Sequence, residues 1–143
     1  KKMLLLMGNT LSINKINFED MQEAIKNNYI IINTLNKDRQ DCTITNTLSV
    51  DNEVSIINTM LTNGKLDKYI ILYGENSADN SIYPKYKQLF ELGFSNIYIY
   101  VGGLFEWLLL QDIYGCEMFP TSKNEPDHLR YKGCKKMNIK LIE

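Results

Sequence analysis

The sequence contains few of the residues that usually carry catalysis or build metal centres. Its 143 residues include three cysteines and one histidine, and no two cysteines lie at the short spacing of zinc or redox motifs. A sparse and odd set of cysteines is typical of a reducing intracellular setting rather than of a disulfide-stabilised scaffold. We therefore expect an intracellular, cytoplasmic protein that has no metal site and no cofactor.

Long hydrophobic runs and a strong charge imbalance are also missing. The longest apolar run near the start, residues 3–7, is far shorter than the roughly 20 residues that span a bilayer. It is also shorter than the apolar core of a secretion signal, which has about 7–15 residues. The formal net charge of −1 gives no electrostatic reason to expect an anionic partner. We expect neither nucleic acid nor a membrane as a partner.

What the sequence does contain is a regular alternation of strand-like and helix-like segments. An apolar content of 44% over 143 residues is enough for one soluble domain with a substantial core. Apolar and β-branched runs predict strands over residues 29–34, Tyr69–Tyr73 and residues 96–101. A shorter strand is predicted over residues 42–48.

The segments between these runs have the periodicity of helices. The first helix is predicted to begin after Asn17 as N-cap, and the second to end at the Asn-Gly pair of residues 63–64. The third carries Pro84 in its first turn and ends at Gly93, and the fourth runs from residue 104 to about 112. The apolar positions of the first three, in chain order, are Phe18, Met21, Ile25, Val54, Ile57, Met60, Leu61, Tyr86, Leu89 and Phe90.

Strand–helix alternation with short links predicts one α/β domain over residues 1–143. The expected architecture has three layers, with a mainly parallel central sheet and helices on both faces. The polar segment 120–143 is predicted to be an extension that wraps around the domain, with a last strand over residues 138–142.

Ligands of open parallel sheets bind at the carboxyl ends of the strands, so the loop after Tyr73 is the candidate site. Its residues are Gly74, Glu75, Asn76, Ser77, Ala78, Asp79, Asn80 and Ser81.

Two stretches resemble parts of a rhodanese-like domain. Residues 92–98, LGFSNIY, and residues 101–107, VGGLFEW, are similar to the family's helix end, last core strand and Gly-Gly turn before an aromatic residue. The resemblance covers about residues 16–110 and implies the three-layer fold predicted above. It also implies that an active member has a nucleophilic cysteine at the end of the strand before the loop, and an arginine that closes the loop.

The sequence departs from that pattern at the side chains that carry the chemistry. Gly74 stands where the cysteine is expected, and residues 74–81 contain neither cysteine nor arginine. The nucleophile of such chemistry is a thiolate, and the carboxylates of Glu75 and Asp79 would repel thiosulfate or phosphate. The sequence therefore predicts a catalytically inactive domain that acts as a protein-binding or regulatory module. The composition of the loop suits a basic or amide-rich peptide as partner.

An enzymatic alternative stays open at this point. The fold could bring another cysteine, Cys116 or Cys42, over the loop and so make a divergent sulfurtransferase or phosphatase. Gly102-Gly103 is predicted to form a tight strand-to-helix turn rather than a phosphate site. Assays of sulfur transfer and of aryl-phosphate hydrolysis separate the two functions. The most useful structural observation is whether the N–H groups of residues 74–81 point into one cavity.

Overall fold

The computed structural model describes residues 13–137, which form a parallel sheet between two pairs of helices. The elements are β1 (Lys15–Ile16), α1 (Phe18–Lys26), β2 (Ile30–Asn33), α2 (Val50–Thr62), β3 (Tyr69–Tyr73), α3 (Ile82–Glu91), β4 (Asn96–Tyr100) and α4 (Gly103–Tyr114). Short 3₁₀ helices occur at Lys37–Arg39 and His128–Tyr131. The sheet has four strands in the order β1-β4-β3-β2, and every pairing is parallel.

The helices cover both faces of the sheet. Side-chain alternation along β3 sends Ile71 and Tyr73 to one face, where they pack with α1 and α4. The same alternation sends Ile70 and Leu72 to the other face, where they pack with α2 and α3. Trp107 of α4 is fully buried in the first of these two cores. The predicted three-layer α/β fold is confirmed.

The local signals for helix ends were reliable. The Asn17 side chain accepts a hydrogen bond from the Asp20 N–H, and the Asp20 carboxylate accepts one from the Asn17 N–H, which completes a capping box. The second helix ends at Asn63 as predicted. Val54, however, is 56% exposed and lines an open groove between α2 and α3, so its predicted place in the apolar face of α2 is wrong.

The predicted strand over residues 42–48 is also wrong. This segment makes only isolated bridges, Ile31 with Thr47 and Ile44 with Thr121. Asn46 has a φ of +73°, and this left-handed conformation interrupts the extended chain. Cys42 and Ile44 are instead buried in the core on the α1 and α4 side of the sheet.

The segment after α4 packs back on the α4 face of the domain. Phe119 and Tyr131 are buried in the core there, and the Trp107 indole N–H donates to the Pro120 carbonyl at 3.0 Å. Two buried aromatic residues therefore anchor this polar stretch. The strand predicted over residues 138–142 lies outside the described residues. No helix within residues 13–137 has the length and apolarity needed to cross a membrane.

Candidate functional site

The loop of residues 74–81 joins β3 to α3 at the carboxyl ends of the strands, as predicted. Beside it lies a cavity of about 250 Å³. One wall is formed by the loop residues Glu75, Asn76, Ala78, Asp79 and Ser81. The opposite wall comes from the C-terminal segment, through Lys132, Cys134 and Lys136. The cavity is therefore completed by a part of the chain that lies outside the region of family resemblance.

The Asp79 carboxylate binds backbone N–H groups from both ends of its own loop. The Glu75 N–H donates to Asp79 Oδ2 at 2.8 Å, and the Ser81 N–H donates to Asp79 Oδ1 at 2.9 Å. A Cβ atom on Gly74 would lie 2.5 Å from Asp79 Oδ2, closer than real contacts allow. The carboxylate thus occupies the space that a side chain at position 74 would need. It also takes donors that an anion-binding loop offers to its ligand.

Asn76 satisfies two further N–H groups of the loop. The Ala78 N–H donates to Asn76 Oδ1 at 2.9 Å, and the Asp79 N–H donates to the Asn76 carbonyl at 3.1 Å. The Asn76 side-chain amide donates in turn to the Tyr131 carbonyl at 2.8 Å, which ties the loop to the C-terminal segment. These N–H groups point at atoms of the loop itself rather than into the cavity.

The N-terminus of α4 also holds the loop. The Leu104 and Phe105 N–H groups donate to the Gly74 and Glu75 carbonyls at 3.0 and 2.8 Å. Gly103 has a φ of +70°, and a Cβ atom there would lie 2.7 Å from the Gly74 carbonyl oxygen. Glycine is therefore required both for the conformation and for the close approach. The tight turn predicted at Gly102-Gly103 is present, and the N–H groups that follow it bind the loop.

The second carboxylate of the loop, that of Glu75, is half-buried. Burial raises its pKa, while the positive charge of Arg39 opposes that shift. The Arg39 Nη1 atom lies 3.6 Å from Glu75 Oε1 and donates to the Arg130 carbonyl at 2.6 Å. A guanidinium therefore does stand beside this loop, but it comes from the 3₁₀ helix after β2. Sequence reasoning missed it because no local pattern brings residues so distant in the chain together.

The three cysteines differ in burial and in whether they line this cavity. Cys42 is buried, its thiol donates to the Lys123 carbonyl at 3.4 Å, and burial raises the pKa of the thiol. Cys116 is exposed after α4, and neither of these two cysteines lines the cavity. Cys134 is exposed and does line it. Within residues 13–137, no group of three or more histidine, cysteine or acidic residues is arranged to hold a metal ion.

Comparison with known proteins identifies solved structures that share this fold. A crystal structure of the Alr3790 protein from Anabaena sp. matches with a TM-score of 0.55 and 16% identity, covering 80% of this chain and 97% of that chain. Ygr203w, described as a yeast protein tyrosine phosphatase of the rhodanese family, matches with a TM-score of 0.53 and 13% identity, covering 82% of this chain and 98% of that one. Identities this low establish the fold alone.

A solution structure of the rhodanese-like domain of Alr3790 gives a TM-score of 0.53 at 16% identity, covering 89% of this chain and 91% of that domain. No curated protein matches the sequence. The family model described as "Rhodanese-like domain" matches residues 17–110. That range is more than half of the chain and contains the whole β3–loop–α3 segment, so the chain belongs to the rhodanese-like domain family.

Proposed function

We propose that this domain is catalytically silent and acts as a protein-binding or regulatory module. The observation that supports the proposal best is the position of the Asp79 carboxylate, which accepts hydrogen bonds from the Glu75 and Ser81 N–H groups. An internal anion stands where a substrate anion would have to bind.

The free-energy cost of displacing the Asp79 carboxylate disfavours substrate binding and so supports the absence of catalysis. A substrate that displaced Asp79 would have to replace two hydrogen bonds to a charged group, each worth about 1.5–3 kcal/mol. The loop carries no thiol that could then attack the substrate, because Gly74 follows the strand and residues 74–81 contain no cysteine. The loop therefore has neither free N–H groups at the Asp79 position to bind a substrate anion nor a thiol to attack it.

The surface available to a partner is the outer side of the loop. Ser77, Ala78, Asn80 and Ser81 are exposed, whereas Glu75 and Asp79 are half-buried and engaged within the domain. Loops carried on a rigid sheet are common recognition surfaces. Hydroxyl and amide groups on this loop suit an amide-rich segment of a partner. Of the two kinds of peptide expected from the sequence, basic or amide-rich, the amide-rich kind fits better.

Two assays test the catalytic part of the proposal. Purified protein is assayed for sulfur transfer from thiosulfate to cyanide and for hydrolysis of an aryl phosphate, beside a variant with Cys42, Cys116 and Cys134 all changed to Ser. We expect the two proteins to give equal and negligible rates. Turnover by the natural protein that disappears in the triple variant would overturn the proposal.

The binding part is tested with two variants of matched chemistry. Asn80→Arg places a bulky charge on the loop, and Asn58→Arg places the same charge on the exposed side of α2. Partners captured by the unchanged domain should be lost with Asn80→Arg and retained with Asn58→Arg. Equal capture by both variants would exclude the loop as the contact surface.

One observation favours a second candidate, a thiol-dependent activity of Cys134. This residue lines the cavity beside Lys132 and Lys136. The candidate predicts that Cys134 reacts with iodoacetamide at neutral pH much faster than the exposed Cys116. Equal alkylation rates for the two thiols would leave the silent module as the better description.

A further inference from the structure

A second cavity, of about 270 Å³, lies between α1 and the sheet. Its apolar lining includes Tyr29, Tyr69 and Tyr98, whose rings form a row with centroids 4.7 Å and 5.9 Å apart. Tyr69 is the first residue of β3, so the cavity lies toward the amino ends of the strands. The loop of residues 74–81 follows the opposite end of β3.

The register of the sheet explains why this aromatic row is open. Ile71 pairs with Tyr98, so the residues of β3 and β4 at these positions point to the same face as Tyr69. Tyr73 and Tyr100, further along the same strands, are covered and buried. Tyr69 remains 41% exposed. The aromatic surface is therefore buried at one end of the face and exposed at the other.

Two carboxylates of α1 stand at the edge of this cavity. Asp20 and Glu23 are three residues apart, which places them on the same side of the helix, and both are exposed. Asp20 Oδ2 accepts the Asn17 N–H, and Glu23 Oε2 accepts the Asn27 side-chain amide. Within residues 13–137, neither carboxylate forms an ion pair. Both carboxylates therefore lie at the edge of a pocket with aromatic walls.

The lysine of β1, Lys15, is directed away from these two carboxylates. Lys15 pairs with Ile99, whose side chain belongs to the opposite core, so the Lys15 side chain starts toward the other face. Ile16, the next residue, pairs with Tyr100 and lines the cavity.

From this arrangement we propose that the cavity formed by Tyr29, Tyr69, Tyr98, Asp20 and Glu23 binds the side chain of an arginine in a partner protein. The guanidinium is planar, stacks on aromatic faces and forms two parallel hydrogen bonds to a carboxylate. Aromatic walls, together with carboxylates that form no ion pair within residues 13–137, match those two properties. The site is independent of the function proposed for the loop, so either can fail without the other.

The probes are two peptides of equal shape and different charge. N-acetyl-Gly-Arg-Gly-amide carries the guanidinium, and its citrulline counterpart replaces it with a neutral urea. Binding is followed by NMR of the tyrosine ring signals at low salt. We expect saturable shifts at Tyr69 and Tyr98 with the arginine peptide, and an affinity at least about fivefold lower for the citrulline peptide. Equal affinities, or no saturation by the arginine peptide, would overturn the proposal.

Variants separate the two kinds of contact. Tyr98→Leu removes a ring while keeping apolar volume and should weaken arginine binding about fivefold. Tyr69→Leu, at the more exposed position, should do the same and serves where Tyr98→Leu unfolds. Glu23→Gln should weaken binding about threefold and reduce its dependence on salt. The matched controls, Tyr114→Leu and Glu91→Gln, lie at exposed positions outside the cavity and should bind as the unchanged domain does. Loss of affinity in the controls, or none in Tyr98→Leu and Tyr69→Leu, would contradict the site.

Discussion

The Arg130 guanidinium contacts both carboxylate oxygens of Asp41, with Nη2 3.0 Å from Oδ1 and Nη1 3.0 Å from Oδ2. The same guanidinium also donates to Glu125 at 2.8 Å. These contacts fasten the C-terminal 3₁₀ helix to the turn after the 3₁₀ helix Lys37–Arg39, far away in the chain. They therefore help to hold in place the segment that forms the second wall of the cavity beside the loop.

This ion-pair cluster should make the domain sensitive to acid. The hydrogen bond from Arg130 lowers the pKa of Asp41 from its ordinary value of 3.8 to about 2, and the Asp127 N–H together with Arg130 lowers that of Glu125. A carboxyl group whose pKa is lower in the folded state stabilises the fold above its unfolded pKa, and that contribution is lost as the pH falls through the folded value. We expect the free energy of unfolding to decrease between about pH 5 and pH 2.

The Arg130→Gln variant isolates the contribution of this cluster to the pH dependence. It should be less stable by about 1 kcal/mol at neutral pH, a small value because the Asp41 side chain is 42% exposed and screened by solvent. Its stability should also change less between pH 5 and pH 2. Urea unfolding across this range measures both effects, with Lys68→Gln as an exposed control. Parallel curves for Arg130→Gln and the unchanged domain would contradict the assignment.

Removing the Asp79 carboxylate should turn the loop into an anion site. Asp79→Ala leaves the Glu75 and Ser81 N–H groups without their acceptor and should cost about 1–3 kcal/mol. Sulfate should then raise the melting temperature of Asp79→Ala more than that of the unchanged domain, because it supplies the missing acceptor. Asp67→Ala, at an exposed position before β3, is the control. An equal response to sulfate in all three proteins would show that the freed N–H groups do not bind anions.

A cysteine at position 74 should be tolerated only when Asp79 is also changed. Gly74→Cys puts a Cβ atom 2.5 Å from Asp79 Oδ2 and should destabilise the domain by about 1–3 kcal/mol. The double variant Gly74→Cys/Asp79→Ala should lose at least about 0.5 kcal/mol less stability than the sum of the losses in the two single variants. Urea denaturation of the four proteins gives this coupling. Additive effects would mean that the two positions do not compete for one space.

The Tyr73 hydroxyl should contribute measurably to the stability of the segment that was mistaken for a strand. It accepts the Ile44 N–H at 3.1 Å and lies 2.7 Å from Thr47 Oγ1, in a fully buried position. Tyr73→Phe removes the acceptor and should cost about 1–3 kcal/mol, because a buried N–H group is left unsatisfied. Tyr83→Phe, on an exposed part of α3, should change the urea midpoint little. A cost for Tyr73→Phe as small as that of the control would show that the segment finds other partners.

Features encoded by neighbouring residues could be predicted from the sequence. The apolar runs of β3 and β4 and the N-cap at Asn17 are local patterns, and each lies where it was expected. The segment 42–48 was misread because β-branched residues occur both in strands and in buried connections. Only the tertiary contacts of Ile44 and Thr47 distinguish the two cases.

The loop of residues 74–81 lies after β3 as predicted, but its internal contacts were not foreseen. That the loop follows β3 depends on the parallel topology, which the strand–helix alternation predicts. The partners of Asp79 depend on the folded shape of the loop, although Asn and Asp in polar loops are known to bind nearby backbone N–H groups, and that tendency was a usable signal. The position of Cys134 depends on the path of the chain beyond α4, for which the sequence has no periodic pattern.

The contact between Gly74 and the Asp79 side chain also makes the two positions dependent on each other in any redesign of this loop. A thiol introduced at position 74 would place its Cβ atom 2.5 Å from Asp79 Oδ2, so the carboxylate would have to move or be replaced. We therefore expect that an attempt to build a reactive centre into this loop has to begin at residue 79.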